Sequence, residues 1–184
     1  MSDFGNADGL PSVLEGVIYS INPEARVIHM THQVPVFQIS AAALLLKINY
    51  SFFPKGSIFV CVVDPGVGTE RLPIIVKTDN FFFIGPDNGI FSLALEEEKV
   101  KKIVVLENPN YYRLKEKPSS TFHGRDIFAP AAAYLSLGIP LEKFGGEMKE
   151  DLKNLTLPNY SESSSIFSGE VIYIDNFGNL IIPS

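Results

Sequence analysis

The chain is poor in residues that several classes of protein depend on. It has 184 residues and one cysteine, Cys61, which excludes a disulfide framework and a thiolate metal site. Cys61 lies within the apolar run "SIFVCVV" and reads as a small core residue. Lysine and arginine together number 15 against 21 aspartates and glutamates, for a net charge of −6, and no basic cluster occurs. Phosphate neutralisation needs concentrated cations, so nucleic acid is excluded as the main partner. No apolar run approaches the ~18 residues of a membrane span, and "MSDFGNADG" lacks a charged segment followed by an apolar one. The expectation is a cytoplasmic protein with no membrane partner. Both nucleotide fingerprints fail as well, because the glycines of "DPGVGTER" have no Gly-Lys-Ser/Thr ending and no third glycine at dinucleotide-binding spacing.

What is present is an α/β alternation. With 46% hydrophobic and 20% charged residues, the composition suits one globular domain plus a fragment of another. "LPSVLEGVIYSINP" predicts a first helix with Pro11 in its first turn, and "FQISAAALLLKINYSFF" a second, buried one. "RVIHMTHQV" between them reads as a strand. "GSIFVCVVDPGVG" reads as an interior parallel strand that ends in a loop at Asp64-Pro65-Gly66. "LPIIVKTDNFFFIGPDNG" predicts two strands joined at Thr78-Asp79-Asn80, followed by a short helix from Leu93 to Glu98 and the strand "KKIVVLEN". A helix over roughly Ile127 to Leu137 stops at Gly138. The fold class is therefore α/β: an N-terminal three-layer domain over residues 1–158 with a central, mostly parallel sheet. Residues 159–168, "NYSESSSIFS", read as a linker, and 169–184 as the first strands of a truncated C-terminal β-barrel domain.

Four places carry candidate chemistry. Asp64 ends an apolar strand, where a carboxylate has no packing role and where open α/β sheets bind ligands. Arg71 follows in the same loop, as a partner or a solvated charge. In "TFHGRDIFAP", His123 stands beside a helix start and its free amides, while Arg125 and Asp126 read as helix-start residues, with Asp126 capping. His29 and His32 lie three apart on the predicted strand, so they are expected on opposite faces, in structural roles, without a shared metal.

Six segments, "SDFG" with Asp8, "THQVPVFQISAAALLL", "VVDPGVGTER", "GPDNGIF", "TFHGRDIFAPAAA" and "IDNFGN", occur in an order and spacing that resembles the S-adenosyl-L-methionine (SAM) hydrolases. These are also called SAM hydroxide adenosyltransferases, and they are related to fluorinating and chlorinating enzymes. The resemblance implies that Asp64, Arg71 and His123 position and activate a water, a triad the halogenating relatives lack. It implies that Asp3 accepts hydrogen bonds from the ribose hydroxyls, Asp175 meets the methionine ammonium, Phe177 stacks near adenine and Asn179 reads the adenine edge. Asn88 and Phe122 are further candidates for pocket lining, next to a turn and a core contact respectively.

The implied reaction is SAM plus water giving adenosine and L-methionine, with SAM as substrate, no cofactor and no metal. Whether Asp64 or His123 takes the proton stays open in the sequence. The family assembles as homotrimers with each site between the N-terminal domain of one subunit and the C-terminal domain of the next. Family members carry an apolar strand ahead of "DFG" and complete a barrel after "FGN", whereas here Met1 and Ser2 precede Asp3 and the chain stops in "LIIPS". Two other expectations follow: halide-dependent SAM cleavage, or, given the truncation, a catalytically silent SAM- or adenosine-binding module.

Overall fold

A computed structural model of the chain describes residues 1–115, 118–158, 161–163 and 166–182. Helix α1 spans Leu10–Ile21 and buries Pro11, Leu14 and Val17, residues three apart that share one helical face. Leu14 and Val17 pack on Ala129, and Asn22 Nδ2 donates to Ser136 Oγ at 2.9 Å. That polar contact locks the end of α1 to the end of α4 (Ala129–Ser136).

Helix α2, Ile39–Tyr50, is apolar on most of its surface and buries Ala41, Ala42, Ala43, Leu46 and Tyr50. It packs with the one-turn helix α3, Ser92–Leu95. The main sheet consists of β1 (Ile58–Val60), β2 (Pro73–Thr78), β3 (Phe82–Pro86) and β4 (Val100–Val105), in the order β1-β3-β2-β4. Alternation along β2 divides the core. Ile74 and Val76 join the cluster of Ala41, Ala42 and Leu46, while Ile75 joins Ile84, Val104, Ala131 and Leu135.

The sheet is mixed, which corrects the expectation of a mostly parallel one. Only β1 and β3 pair in parallel, whereas β3–β2 and β2–β4 are antiparallel. The reason is the connection between β2 and β3. It has only three residues, Asp79 to Phe81, and a parallel pair needs a crossover of a dozen or more. Thr78 Oγ1 closes the turn by accepting from Phe81 N at 2.9 Å. Strand β1 pairs in parallel as expected but ends the four-strand order, and on its open side the chain continues to an isolated parallel bridge between Val62 and Ser2.

Residues 26–34 form no strand. They run beside the N-terminal segment through spaced bonds, Ser2 N to the Thr31 carbonyl and Gly5 N to the His32 carbonyl. The partner segment turns away at Asp3, so no continuous ladder forms. Without one, the expected opposition of the two histidines fails: His29 Nδ1 and His32 Nε2 are 2.7 Å apart. Within residues 159–168, Ser161–Ser163 (β5) pairs antiparallel with Ile166–Ser168 (β6). Strands β7 (Tyr173–Ile174) and β8 (Leu180–Ile181) form the final antiparallel hairpin. Among the described residues, no helix is long and apolar enough to cross a membrane.

Candidate active site

Beyond β1 the chain stays apolar through the buried Val62 and Val63 and then delivers Asp64 into the loop that returns at Arg71. Short local bonds fold this loop tightly: Val67 N to the Asp64 carbonyl, Thr69 N to the Gly66 carbonyl, and Arg71 N to Thr69 Oγ1. Gly68, at φ 77°, is where the loop meets the segment preceding His123. A Cβ there would lie 2.3 Å from the Ser120 carbonyl oxygen. Only glycine permits that approach.

Arg71 and Asp64 are both buried, at 7% and 9% exposure. Arg71 Nε donates to both Asp64 oxygens at 3.0 Å, and Nη2 donates to Oδ2. A planar guanidinium suits this forked geometry, and burial makes the pair costly to break from one side. Nη2 also lies 2.7 Å from His123 Nδ1. The guanidinium carbon stands 5.5 Å from the centroid of the Phe128 ring. Nη1 is buried with no hydrogen-bond partner among the described residues.

Arginine has no acceptor atom, so His123 Nδ1 must accept. A neutral His123 therefore carries its proton on Nε2. The pKa of His123 is lowered, first by burial and then by the Arg71 charge, against the opposing pull of Asp64 and Asp126. The neutral ring is the favoured form.

The helix behind His123 opens with a π-helical turn, Gly124–Phe128, before becoming α4. Asp126 does not cap it, contrary to expectation. Its carboxylate accepts from Ser119 N at 2.9 Å and from Arg125 Nε and Nη2 at 2.6 and 2.8 Å. Burial alone would raise the Asp126 pKa, but Arg125 and the Ser119 amide outweigh it and hold it low. Arg125 also covers the Phe122 ring at 5.0 Å. This cluster ties the 119–122 loop to the helix and leaves Arg71 as the arginine at the triad.

A cavity of about 230 Å³ has Asp64 and His123 in its wall, together with Asp3, Phe4, Phe37 and Phe122. Asp3 Oδ2 accepts from Phe37 N at 2.9 Å. Phe122 meets Phe4 edge to face at 5.6 Å. Asn88 is not in the cavity wall: its Nδ2 donates to the Val63 carbonyl at 2.9 Å and its Oδ1 accepts from Ile90 N, which steadies the strand end before Asp64. Asp175, Phe177 and Asn179 are not brought to the cavity of their own chain. They build the β7–β8 turn, where Asp175 accepts from Phe177 N, Asn179 N and Asn179 Nδ2. These bonds, the side-chain one from Asn179 first, hold the Asp175 pKa low, and Phe177 projects with 92% exposure.

Sequence reading missed Phe37. It is 64% exposed and is the single non-glycine residue at positive φ, 63°, among the described residues. Strain of that kind in a bulky residue concentrates at functional sites. The available signal is "PVFQ", two large apolar residues placed in a turn just before a helix. A larger cavity of about 330 Å³ lies against α1 and β1, with an apolar floor that includes Leu14, Ile58 and Ala132. The smaller cavity is the better candidate because the buried charged cluster faces it. Among the described residues, no group of three or more His, Cys, Asp or Glu side chains is placed to hold a metal ion.

Residues 1–145 match the model of the SAM hydroxide adenosyltransferase N-terminal domain. The (R)-S-adenosyl-L-methionine hydrolase of Salinispora arenicola is 39% identical over 97% of this chain and 68% of its own length. That of Thermus thermophilus is 37% identical over 98% and 71%. A fluorinase of an Actinoplanes species is 25% identical over 98% and 68%. A crystal structure of an uncharacterized conserved protein from Thermotoga maritima superposes with a TM-score of 0.89 at 39% identity, covering 97% of this chain and 68% of that one. With its buried Asp-Arg-His cluster at the end of an α/β sheet, this chain belongs to the SAM hydroxide adenosyltransferase family.

Proposed function

We propose that the protein hydrolyses SAM to adenosine and L-methionine by attack of water at the ribose C5′. The observation that carries this reading is the buried Asp64–Arg71–His123 cluster beside a cavity that also holds Asp3. A C5′–O bond forms, the C5′–S bond breaks, and its electron pair returns to sulfur as the neutral thioether of methionine. A sulfonium leaves without needing a proton, so no general acid is required. The difficulty lies in the nucleophile, because water must be oriented, desolvated and relieved of one proton.

Arg71 divides the labour. By donating to His123 Nδ1 it leaves Nε2–H as the free end of the neutral ring, a donor that orients and stabilises the developing hydroxide. His123 then has no lone pair with which to accept the proton. Asp64 is the remaining base of the triad, and its departing proton passes to solvent. The chemistry uses no metal.

Asp3 offers its carboxylate to the ribose hydroxyls, and Phe122 lines the ribose side of the cavity. Asn88 acts indirectly, through the Val63 carbonyl. Asp175, Phe177 and Asn179 lie outside their own chain's cavity wall, which supports a homotrimer in which a neighbouring subunit supplies the ammonium and adenine contacts. Greater identity to SAM hydrolases than to the fluorinase, 39% against 25%, supports water rather than halide as nucleophile.

The test is incubation with SAM, with and without added fluoride or chloride and with and without EDTA, followed by chromatography. Adenosine formed at the same rate in all four conditions supports the reading. A 5′-halo-5′-deoxyadenosine product, loss of activity in EDTA, or no product above the protein-free blank contradicts it.

A further inference from the structure

The Ser2–Asp3–Phe4 turn is held by a chain of side chains that leads away from the cavity. Ser2 is fully buried. Its Oγ accepts from Phe4 N at 3.3 Å, closing a turn around Asp3, and lies 2.8 Å from His32 Nδ1. His32 Nε2 is 2.7 Å from His29 Nδ1, and His29 Nε2 is 3.3 Å from Glu15 Oε2 on α1. The backbone reinforces the turn from the same side, through Ser2 N to the Thr31 carbonyl and Gly5 N to the His32 carbonyl.

The far end of this chain fixes the direction of its hydrogen bonds. A carboxylate only accepts, so His29 donates to Glu15 from Nε2–H. Neutral His29 then accepts at Nδ1 from His32 Nε2–H, and His32 accepts at Nδ1 from the Ser2 hydroxyl. The reverse order would set the bare Nε2 lone pair of His29 against the Glu15 carboxylate. With its one proton committed to His32, Ser2 keeps its lone pairs for the Phe4 amide. That bond constrains the turn from which Asp3 reaches the cavity and accepts from Phe37 N.

We propose that His32 is a positioning residue for the Asp3 carboxylate, acting through Ser2 Oγ, with His29 and Glu15 setting its hydrogen-bond direction. The consequence for substrate rests on the reading that Asp3 binds the ribose. The consequence for the turn does not.

Two readouts test it. Removal of a buried partner's hydrogen bond in His32→Ala raises KM for SAM about tenfold with kcat within about threefold, and His32→Asn, which can still accept from Ser2, recovers most of the loss. In the same variants, amide hydrogen exchange at Phe4 and Phe37 is about tenfold faster in His32→Ala and close to wild type in His32→Asn. Unchanged exchange at both amides in His32→Ala overturns the proposal whatever the kinetics. An equal fall in kcat with no change in KM also overturns it. If the wild-type protein turns over no SAM, the functional reading fails, and the exchange measurement still decides the role of His32. If His32→Ala does not fold, Glu15→Gln provides the same pair of measurements with smaller shifts in the same direction, and no shift overturns the proposal.

Discussion

Arg71 Nη2 stands 2.7 Å from His123 Nδ1 while the same guanidinium grips Asp64 through Nε and Nη2. One side chain therefore settles the tautomer of the histidine and the orientation of the carboxylate together.

A glutamine at position 123 places an amide N–H near the site of imidazole Nε2. His123→Gln is accordingly expected to keep kcat within about tenfold of wild type, whereas His123→Ala loses about 10² to 10³, the usual effect of deleting one transition-state donor. Steady-state kinetics on both variants checks this. Equal losses in the two would return the proton-accepting role to the histidine.

The Gly68 contact predicts a structural rather than a chemical defect. Gly68→Ala combines a left-handed backbone with a Cβ placed 2.3 Å from the Ser120 carbonyl oxygen, and a cost of about 1–3 kcal/mol follows from strain of this kind. Denaturant unfolding should show that loss, and kcat should fall with it because the two loops carrying the triad separate. Wild-type stability in Gly68→Ala would mean that the loops do not pack as described.

The positions of Asp175 and His123 predict complementation. If each site takes His123 from one subunit and Asp175 from the next, His123→Ala and Asp175→Ala chains are each strongly impaired alone. Unfolded together and refolded as a mixture, they should recover a measurable fraction of wild-type activity. Failure of the mixture, with both variants folded, would place all contacts within one chain.

Acid should destabilise the fold through the histidine chain. His32 is pushed down to about 4 from an ordinary 6.5, by burial first and then by the Met1 ammonium and His29. Because the folded value is the lower one, the unfolded chain binds more protons between these limits. The stabilisation is present above about pH 6.5 and is lost as pH falls toward about 4. Since His32 is only half-buried, solvent screening reduces the effect to about 1 kcal/mol. His123, also lowered, acts in the same direction. Urea unfolding as a function of pH should show a shallower slope in His32→Asn than in wild type over this range.

Much of this architecture is legible in the sequence, for reasons that differ by element. Helices α1 and α2 announce themselves through Pro11, Leu14 and Val17 and through the alanine-leucine run after Ile39, where local pattern and burial agree. Asp64 is legible because a charge ends an apolar strand. The antiparallel pairing of β2 and β3 is legible too, because the visible Thr78-Asp79-Asn80 turn is too short for a parallel crossover, and the expectation of a mostly parallel sheet gave the α/β alternation precedence over that turn. His29 and His32 mislead because alternation of faces holds only in a laddered strand, and residues 26–34 have only spaced bonds to Ser2 and Gly5. The triad's contacts span 52 positions between Arg71 and His123, and no local pattern encodes a meeting at that separation. Asp175 and Asn179 are readable as a turn, and the structure places them in one.

The proposed reaction stands or falls on water as the nucleophile at C5′. Turnover of SAM in ¹⁸O-labelled water, with mass analysis of both products, tests it most directly. Attack by water puts one labelled oxygen at the 5′ position of adenosine and none in methionine; unlabelled adenosine, or label in methionine, rules that attack out.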